Sequence, residues 1–387
     1  MAGYIFLLRE LKYLKDRIVS GVYSTIIKDP AKNYWSTAIE STIGDYLTMK
    51  QGDNVYFFSK RKIYGIGELI NIGDAVRLQN YSNSIEPKKN SYEVIKDELL
   101  FNFGRTSFKN RLICFFNPAP HFFKIGIDMD DVLMSDPSKF KMLRFIQNVS
   151  FIKIDDEENQ ALKNIILKRN IDAVTDPNNK KVYKTKYKEI HEKIRVNITE
   201  SHTIKLRELI DPFVENGYIK HEMLIEIAIL KQLIDNDNPT IEVFGSWDYL
   251  SHQVGASPFK PVAYIDRIDI FGYKYLDKLF PTIGSYVIIE IKKGEANKQD
   301  LTQLMKYVDW VKSEYASGDY SNIKAFLVAN TFHDNINNDV VEEITTRNFI
   351  YGSRPSKHKT WNDVSLITYN YNEKEGKLNF LAHEIAL

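Results

Sequence analysis

The run Tyr286-Val287-Ile288-Ile289-Glu290-Ile291-Lys292 is apolar enough for a buried strand, yet it ends on an acid and a lysine two positions apart. Side chains alternate along a strand with a period of two, so Glu290 and Lys292 leave one face while Val287, Ile289 and Ile291 leave the other, toward a core. A second strand-like stretch, Arg267-Ile268-Asp269-Ile270, carries another acid, with twenty residues between Asp269 and Glu290. A buried strand seldom spends two charged side chains on one face unless they hold something. Two carboxylates and a lysine suit a divalent cation beside a phosphate. Mg²⁺ prefers carboxylate and water oxygens, and an ammonium can align an attacking water or offset developing negative charge. The pattern points to metal-dependent nuclease chemistry.

At 387 residues the chain exceeds what one hydrophobic core normally serves, so two domains and a connection are expected. Lys+Arg 52 against Asp+Glu 51 leaves a formal charge of +1, so any nucleic-acid affinity must come from local patches. The single cysteine, Cys114, excludes an intramolecular disulfide framework and a cysteine-rich zinc site, and its apolar setting makes it a core thiol. The short apolar run Tyr4 to Leu8 is broken at once by Arg9 and Glu10, which argues against a signal peptide. With no long apolar stretch for a membrane span, a cytoplasmic protein is expected.

Residues 1–170 read as mixed α+β. Val55 to Phe58 and Ile63 to Leu69 are strand-like around the basic turn Ser59-Lys60-Arg61-Lys62, Arg111 to Phe116 is a further strand, and Asp155 to Lys168 has helical spacing. From 171 to 204 the sequence is rich in charge and poor in large aliphatics, which reads as a linker or exposed helix. Within 205–387, His221 to Ile234 places Met223, Ile227, Leu230 and Ile234 on one helical stripe. Strands Val262 to Ile270 and Tyr286 to Lys292 follow, then a helix from Lys298 to Tyr315 and a buried strand from Ala325 to Ala329. That order predicts a mixed sheet with flanking helices, so the fold class is a two-domain α/β (α+β) chain.

The combined pattern resembles the PD-(D/E)xK nuclease superfamily, and within it the NucS-like and RecB-like endonucleases. The matching residues are Arg267-Ile268-Asp269-Ile270, Glu290-Ile291-Lys292 and Gln303-Leu304-Met305-Lys306-Tyr307, preceded by a helix glutamate at Glu222. Glu226, one turn on, shares its face and competes for that place. The resemblance covers about half the chain and implies a restriction-endonuclease-like fold for 205–387. It further implies that Asp269, Glu290 and the backbone carbonyl of Ile291 hold Mg²⁺ or Mn²⁺, with Glu222 completing the outer metal shell. Lys292 would orient or activate water, and Gln303 would steady Lys292 or a phosphate. Asp266 is a rival acid, but three positions from Asp269 it should face the other side of the strand. Lys293, Lys298 and Lys306 are candidate phosphate contacts or simply solvated lysines. His221 and His252 are given surface or capping roles.

Gly52-Asp53-Asn54-Val55-Tyr56-Phe57-Phe58 followed by Ile63-Tyr64-Gly65-Ile66-Gly67-Glu68 resembles the strand pair of PUA-like folds, notably the EVE and YTH group. That likeness implies a small β-barrel with helices over 1–170 that reads nucleic acid, some members accepting a flipped, modified base between aromatic walls. Tyr34, Trp35, Phe57 and Tyr64 are then the cage candidates, with core packing as the alternative. The loop Asn117 to Phe123 could rim such a pocket. Gly65-Ile66-Gly67 lacks the third glycine of a dinucleotide loop.

A reader joined to a nuclease suggests a modification-dependent restriction or phage-defence enzyme acting on DNA. A repair endonuclease for mismatched or branched DNA, a Shedu-type defence nuclease and a non-cleaving nucleic-acid-binding protein are the alternatives. Double-strand cutting generally needs two active sites, so a homodimer or higher homo-oligomer is expected.

Overall fold

The computed structural model describes residues 1–8, 10–30, 35–87, 91–143, 151–175, 184–257, 265–352 and 354–383. The chain divides into two compact units, Met1–Pro212 and Phe213–Leu387. Both are mixed α and β.

The first unit is built on strands β1 (Gly3–Leu7), β2 (Val22–Ile26), β3 (Asn54–Ser59) and β4 (Lys62–Leu69), with β5 (Arg77–Gln79), β6 (Asn110–Pro118), β7 (Ile127–Asp128) and β8 (Phe151–Ile154). Its helices are α1 (Lys12–Ser20), α2 (Thr37–Leu47), α3 (Tyr92–Ile95), α4 (Met129–Ser135), α5 (Asp156–Arg169), α6 (Ile171–Thr175), α7 (Tyr187–Asn197) and α8 (Leu206–Ile210). The strand order is β2-β6-β4-β3-β1-β8, with β1 and β3 parallel and the other pairs along that path antiparallel. Tyr23 of β2, at one end of this path, packs against Phe151 of β8 at the other, their ring centroids 5.6 Å apart. It also stacks on Phe6 of β1 at 4.2 Å. Such contacts require the sheet to curl round on itself.

The aromatic residues of this unit fill the inside of the curl. Phe57 packs against Phe6, Phe116 and Phe123 and is fully buried. Gly65 sits at φ +105 where a Cβ would come within 2.0 Å of the Phe123 ring, so only glycine lets that ring lie against the strand. The loop Asn117 to Phe123 therefore ends in a short 3₁₀ turn that buries Phe123, not in an open rim.

The segment 171–204, expected to be a linker or an exposed helix, contains helix α7. Residues 176–183 lie outside the described residues, but α7 docks on the first unit. His191 hydrogen-bonds the Gly21 carbonyl at 3.0 Å, and Ile194 joins the buried cluster of Val22, Ile113 and Phe115. Two buried side chains per three turns are enough to hold a helix whose remaining surface is charged. The first compact unit accordingly runs through this segment to Pro212.

The second unit opens with a small ribbon, β9 (Val214–Glu215) and β10 (Tyr218–Ile219), then α9 (Glu222–Ile234) and α10 (Asn238–Phe244). Strands β11 (Tyr249–Gly255), β12 (Arg267–Tyr275) and β13 (Ile283–Ala296) follow, then α11 (Lys298–Glu314), β14 (Ile323–Phe332) and α12 (Asn338–Thr345). A two-stranded ribbon, β15 (Arg347–Tyr351) and β16 (Lys357–Trp361), precedes β17 (Val364–Asn372) and β18 (Lys377–Ala382). The main sheet has the order β11-β12-β13-β14-β17-β18. Its central pairs β13–β14 and β14–β17 are parallel and the flanking pairs antiparallel. Parallel neighbours need a crossover, and α11 supplies the one between β13 and β14. Its start is fixed by a capping box in which Asn297 and Asp300 satisfy each other's backbone N–H groups.

Helix α9 departs from the single apolar stripe that its spacing predicts, because every residue from Met223 to Leu233 is buried. A helix apolar nearly all round belongs inside a domain rather than on its surface. Its polar residues carry specific work. Gln232 accepts from the Leu378 N–H and donates to the Leu378 carbonyl, both at 2.9 Å. It thus pairs with the edge strand β18 as another strand would. That clamp fixes one end of α9 and leaves its first turns aimed at β12 and β13.

Candidate active site

Asp269 and Glu290 lie on neighbouring strands, and both are buried, at 8% and 1% exposure. Asp269 Oδ2 accepts from the Ile291 N–H at 2.8 Å, so the aspartate is fastened to the backbone beside Glu290. Lys292 Nζ donates to Glu290 Oε1 at 2.7 Å, the same-face pairing that strand alternation predicts. Glu290 Oε2 is buried and accepts from no N–H, and the Asp269 carboxyl is near enough to Glu290 to share a hydrogen bond with it. The three residues that sequence put together are together.

Both helix glutamates reach this cluster, by different routes. Glu222 Oε2 accepts from the Lys293 N–H at 3.0 Å. Glu226 is buried, and Gln253 Nε2 joins it to the site by donating to Glu226 Oε1 at 2.9 Å and to Asp269 Oδ1 at 3.2 Å. Glu226, not Glu222, is thus the helix glutamate tied to Asp269. Asp266 is exposed and lies just before β12 begins, while its charge joins those of Glu290 and Asp269 in acting on Tyr307.

Gln253 was not anticipated, nor was the buried position of His252. His252, given a surface or capping role by sequence, is only 4% exposed, and its Nδ1 lies 3.6 Å from Glu226 Oε2. Consecutive strand residues normally point to opposite faces. Gln253 has φ +52, and this left-handed turn of the backbone lets both His252 and Gln253 address the same glutamate. The period-two run Tyr249, Ser251, Gln253 beside Leu250, His252, Val254 was the available signal for this strand. The broken alternation could not be read from it.

The backbone leaves the regular ladder just past the lysine. Lys292 pairs with Ala329, but Glu295 pairs with Thr331, so one extra residue bulges out of β13 between them. The freed groups of Lys293 are taken up locally: its N–H by Glu222, and its carbonyl by the Tyr369 hydroxyl at 2.6 Å. The Lys293 side chain is exposed, and its Nζ approaches the Lys220 carbonyl at 3.3 Å.

Gln303 does not steady Lys292. Its amide donates to Tyr307 Oη at 2.9 Å, one turn along α11. Asp300 is instead the α11 residue near the lysine, 3.8 Å from Nζ. Tyr307 stands within the field of Glu290 and Asp269; burial, reinforced by Glu290, pushes its phenol up to about 12.

Burial and mutual repulsion govern the charge of the cluster. Burial, then the neighbouring Glu226 and Glu290 charges, holds the Asp269 carboxyl well above the usual range. Burial raises Glu290 to about 7 even against the pull of Lys292. Glu226 is raised by burial, partly offset by His252 and Gln253. Burial works against the Lys292 ammonium, but the Glu290 carboxylate beside it wins and its pKa rises. Acids crowded in a dry site with one orphaned oxygen suit a divalent cation, which would supply the missing positive charge. Among the described residues no group of three His, Cys, Asp or Glu side chains is arranged to hold a metal as it stands. Asp269, Glu290 and the Ile291 carbonyl, with waters completing the shell, ask for only two such side chains.

Among the described residues, the cage candidates of the first unit are buried. Trp35 and Phe57 are 0% exposed and Tyr64 is 7% exposed, pressed against Gly126. Tyr34 lies outside the described residues. The aromatic packing described above places Phe57 in the core.

No family model matches the chain, and no curated protein matches it. Among solved structures, a repair endonuclease from Pyrococcus abyssi is similar at 24% identity and a TM-score of 0.19, over 28% of this chain and 38% of that one. The EndoMS–dsDNA complex is similar at 22% identity and a TM-score of 0.17, over 25% of this chain and 33% of that one. Protein Atu2648 from Agrobacterium tumefaciens aligns at 10% identity and a TM-score of 0.25, over 43% of this chain and 93% of that one. The chain spans 38% and 33% of the length of the first two of these chains. These likenesses are partial, and the chemistry of the site is read from its own residues.

Proposed function

We propose that the second unit is a divalent-metal-dependent DNA endonuclease that hydrolyses a phosphodiester bond. The observation that carries this reading is the fastening of Asp269, Glu290 and Lys292 into one half-dry cluster across β12 and β13, backed by Glu226. Asp269, Glu290 and the Ile291 carbonyl would hold the cation, Mg²⁺ or Mn²⁺. When bound, it supplies Lewis-acid polarisation of the phosphate and lowers the pKa of a water. Lys292, its ammonium held at Glu290, orients the attacking water and meets charge that develops on the phosphate oxygens. Glu226 and Gln253 hold Asp269 in register. Glu222 holds the bulged backbone that carries Lys293 and so shapes the floor on which a phosphate rests.

Selection of the DNA falls to the first unit in this reading, and modified bases are the substrates that distinguish a defence role from repair of mismatched or branched DNA. The purified chain with Mg²⁺ or Mn²⁺ is expected to cut DNA, and Asp269→Ala to abolish the cut. No cleavage of any plain or modified duplex would overturn the enzyme reading. Equal rates on cytosine-modified and unmodified DNA would overturn the modified-base part alone.

A further inference from the structure

We propose that the β15–β16 ribbon is an arm that contacts the phosphates of duplex DNA, a proposal that rests on DNA being the second unit's substrate. From Thr346 to Asn362 there are four cationic residues, Arg347, Arg354, Lys357 and Lys359, and no acid, in a chain whose formal charge is only +1. Residues 354–360 are all exposed. A two-stranded ribbon is narrow enough to enter a major groove, and exposed Lys and Arg on such an element neutralise phosphates.

The arm is rooted rather than loose. Arg347 grips Asp309 with two bonds, Nε to Oδ1 at 3.0 Å and Nη2 to Oδ2 at 3.2 Å, and Trp361 Nε1 donates to the Ile323 carbonyl at 2.9 Å. Tyr320 packs on both Phe349 and Trp361. Past this root the ribbon changes character. Ile350 and Tyr351 are 64% and 46% exposed, beside their register partners His358 and Lys357. An edge that only needed solubility would not place apolar surface there.

Tyr351 also tells which part of the DNA is met. Lys359 Nζ lies 3.9 Å from the centre of its ring, so that face is occupied by a cation and cannot stack on a base. The ammonium, also donating to Ser321 Oγ at 3.2 Å, stays exposed to solvent, which suits a phosphate contact and not base readout. Arg347 is already neutralised by Asp309, leaving Arg354, Lys357 and Lys359 as the contacting charges.

The test is fluorescence anisotropy of the full chain on a labelled duplex of about 30 base pairs in EDTA across a KCl series. Replacing Arg354, Lys357 and Lys359 together by Ala is expected to weaken binding at least tenfold and to reduce the salt slope by roughly two to three. Lys357→Arg with Lys359→Arg should restore both, which guards against a folding defect. Unchanged affinity and slope in the alanine variant would overturn the proposal, as would tighter binding of single strands than of duplex. Because no metal is present, the two readings separate. A wild type that binds through the ribbon but cuts nothing when Mg²⁺ is added keeps the arm and loses the nuclease, while a wild type that binds no DNA overturns both.

Discussion

Gln253 Nε2 donates to Asp269 Oδ1 at 3.2 Å, between residues that stand opposite one another where β11 and β12 run antiparallel. The same amide donates to Glu226, so one neutral group separates two buried acids that would otherwise repel. Gln253→Ala removes both bonds and leaves the acids facing each other. The expected outcome is at least a tenfold loss of cleavage and weaker Mn²⁺ binding by calorimetry, with the circular dichroism spectrum unchanged. Equal Mn²⁺ affinity would show the amide to be a bystander.

Asp269→Asn trades activity for stability. The folded chain keeps a proton on Asp269 well above the usual carboxylate range, whereas the unfolded chain releases it near 3.8. Folding therefore binds more protons above that pH, and stability falls as pH rises through this window. An amide has no such dependence. Without divalent metal, the Asp269→Asn variant should melt higher than wild type at pH 7, the gap closing toward pH 4, while hydrolysis drops more than a hundredfold. A lower melting temperature at pH 7 would mean that the carboxylate is not strained.

Lys153 of the first unit shows the opposite slope. Burial lowers its pKa to about 7, against the attraction of Asp53. Lys50 lowers it further, and Asp45 and Asp156 raise it. Between about 7 and the ordinary 10.5 the unfolded chain holds the extra proton, so stability from this group rises with pH across that window and is lost below it. Lys153→Met should flatten the rise, read as melting temperature from pH 6.5 to 9.5. A wild-type curve of the same shape as the variant's would contradict the burial.

Gln232→Leu keeps the bulk of a buried side chain while stranding the N–H and carbonyl of Leu378. Each unmet buried group costs about 1 to 3 kcal/mol, so denaturant melts should show a loss of about 2 kcal/mol or more. A neutral outcome would mean that water reaches β18.

A fragment of residues 1–170 should be less stable than one of residues 1–212, because the shorter piece uncovers the cluster that Ile194 and His191 close. Losing Ile194 alone costs about 2 kcal/mol. Equal melting temperatures would return 171–204 to the role of a connector.

The contrast between α7 and β13 explains what the sequence could tell. Strand β13 carries a long apolar run with charges at fixed parity, so Glu290 and Lys292 were legible from alternation, and Asp269 from the combined motif it shares with them. Helix α7 buries only His191 and Ile194, too few for its charge-rich sequence to betray a docked face. Gln253 and His252 escaped because a single left-handed residue reverses the parity on which the reading depends. The partner of Gln303 could not be read because a helical glutamine has several neighbours one turn away, and Tyr307 takes its amide. The first unit's aromatics could not be sorted between cage and core, since a curled sheet needs large rings inside for either purpose.

The extra residue in β13 after Lys292 has a consequence for how this chain can vary. Surface loops absorb insertions and deletions, but here the count is set by the two-residue period of the strand. Deleting a single residue would close the bulge and retract the Lys293 amide from Glu222 and its carbonyl from Tyr369. Substitution can tune this corner of the fold; a change of length can only erase it.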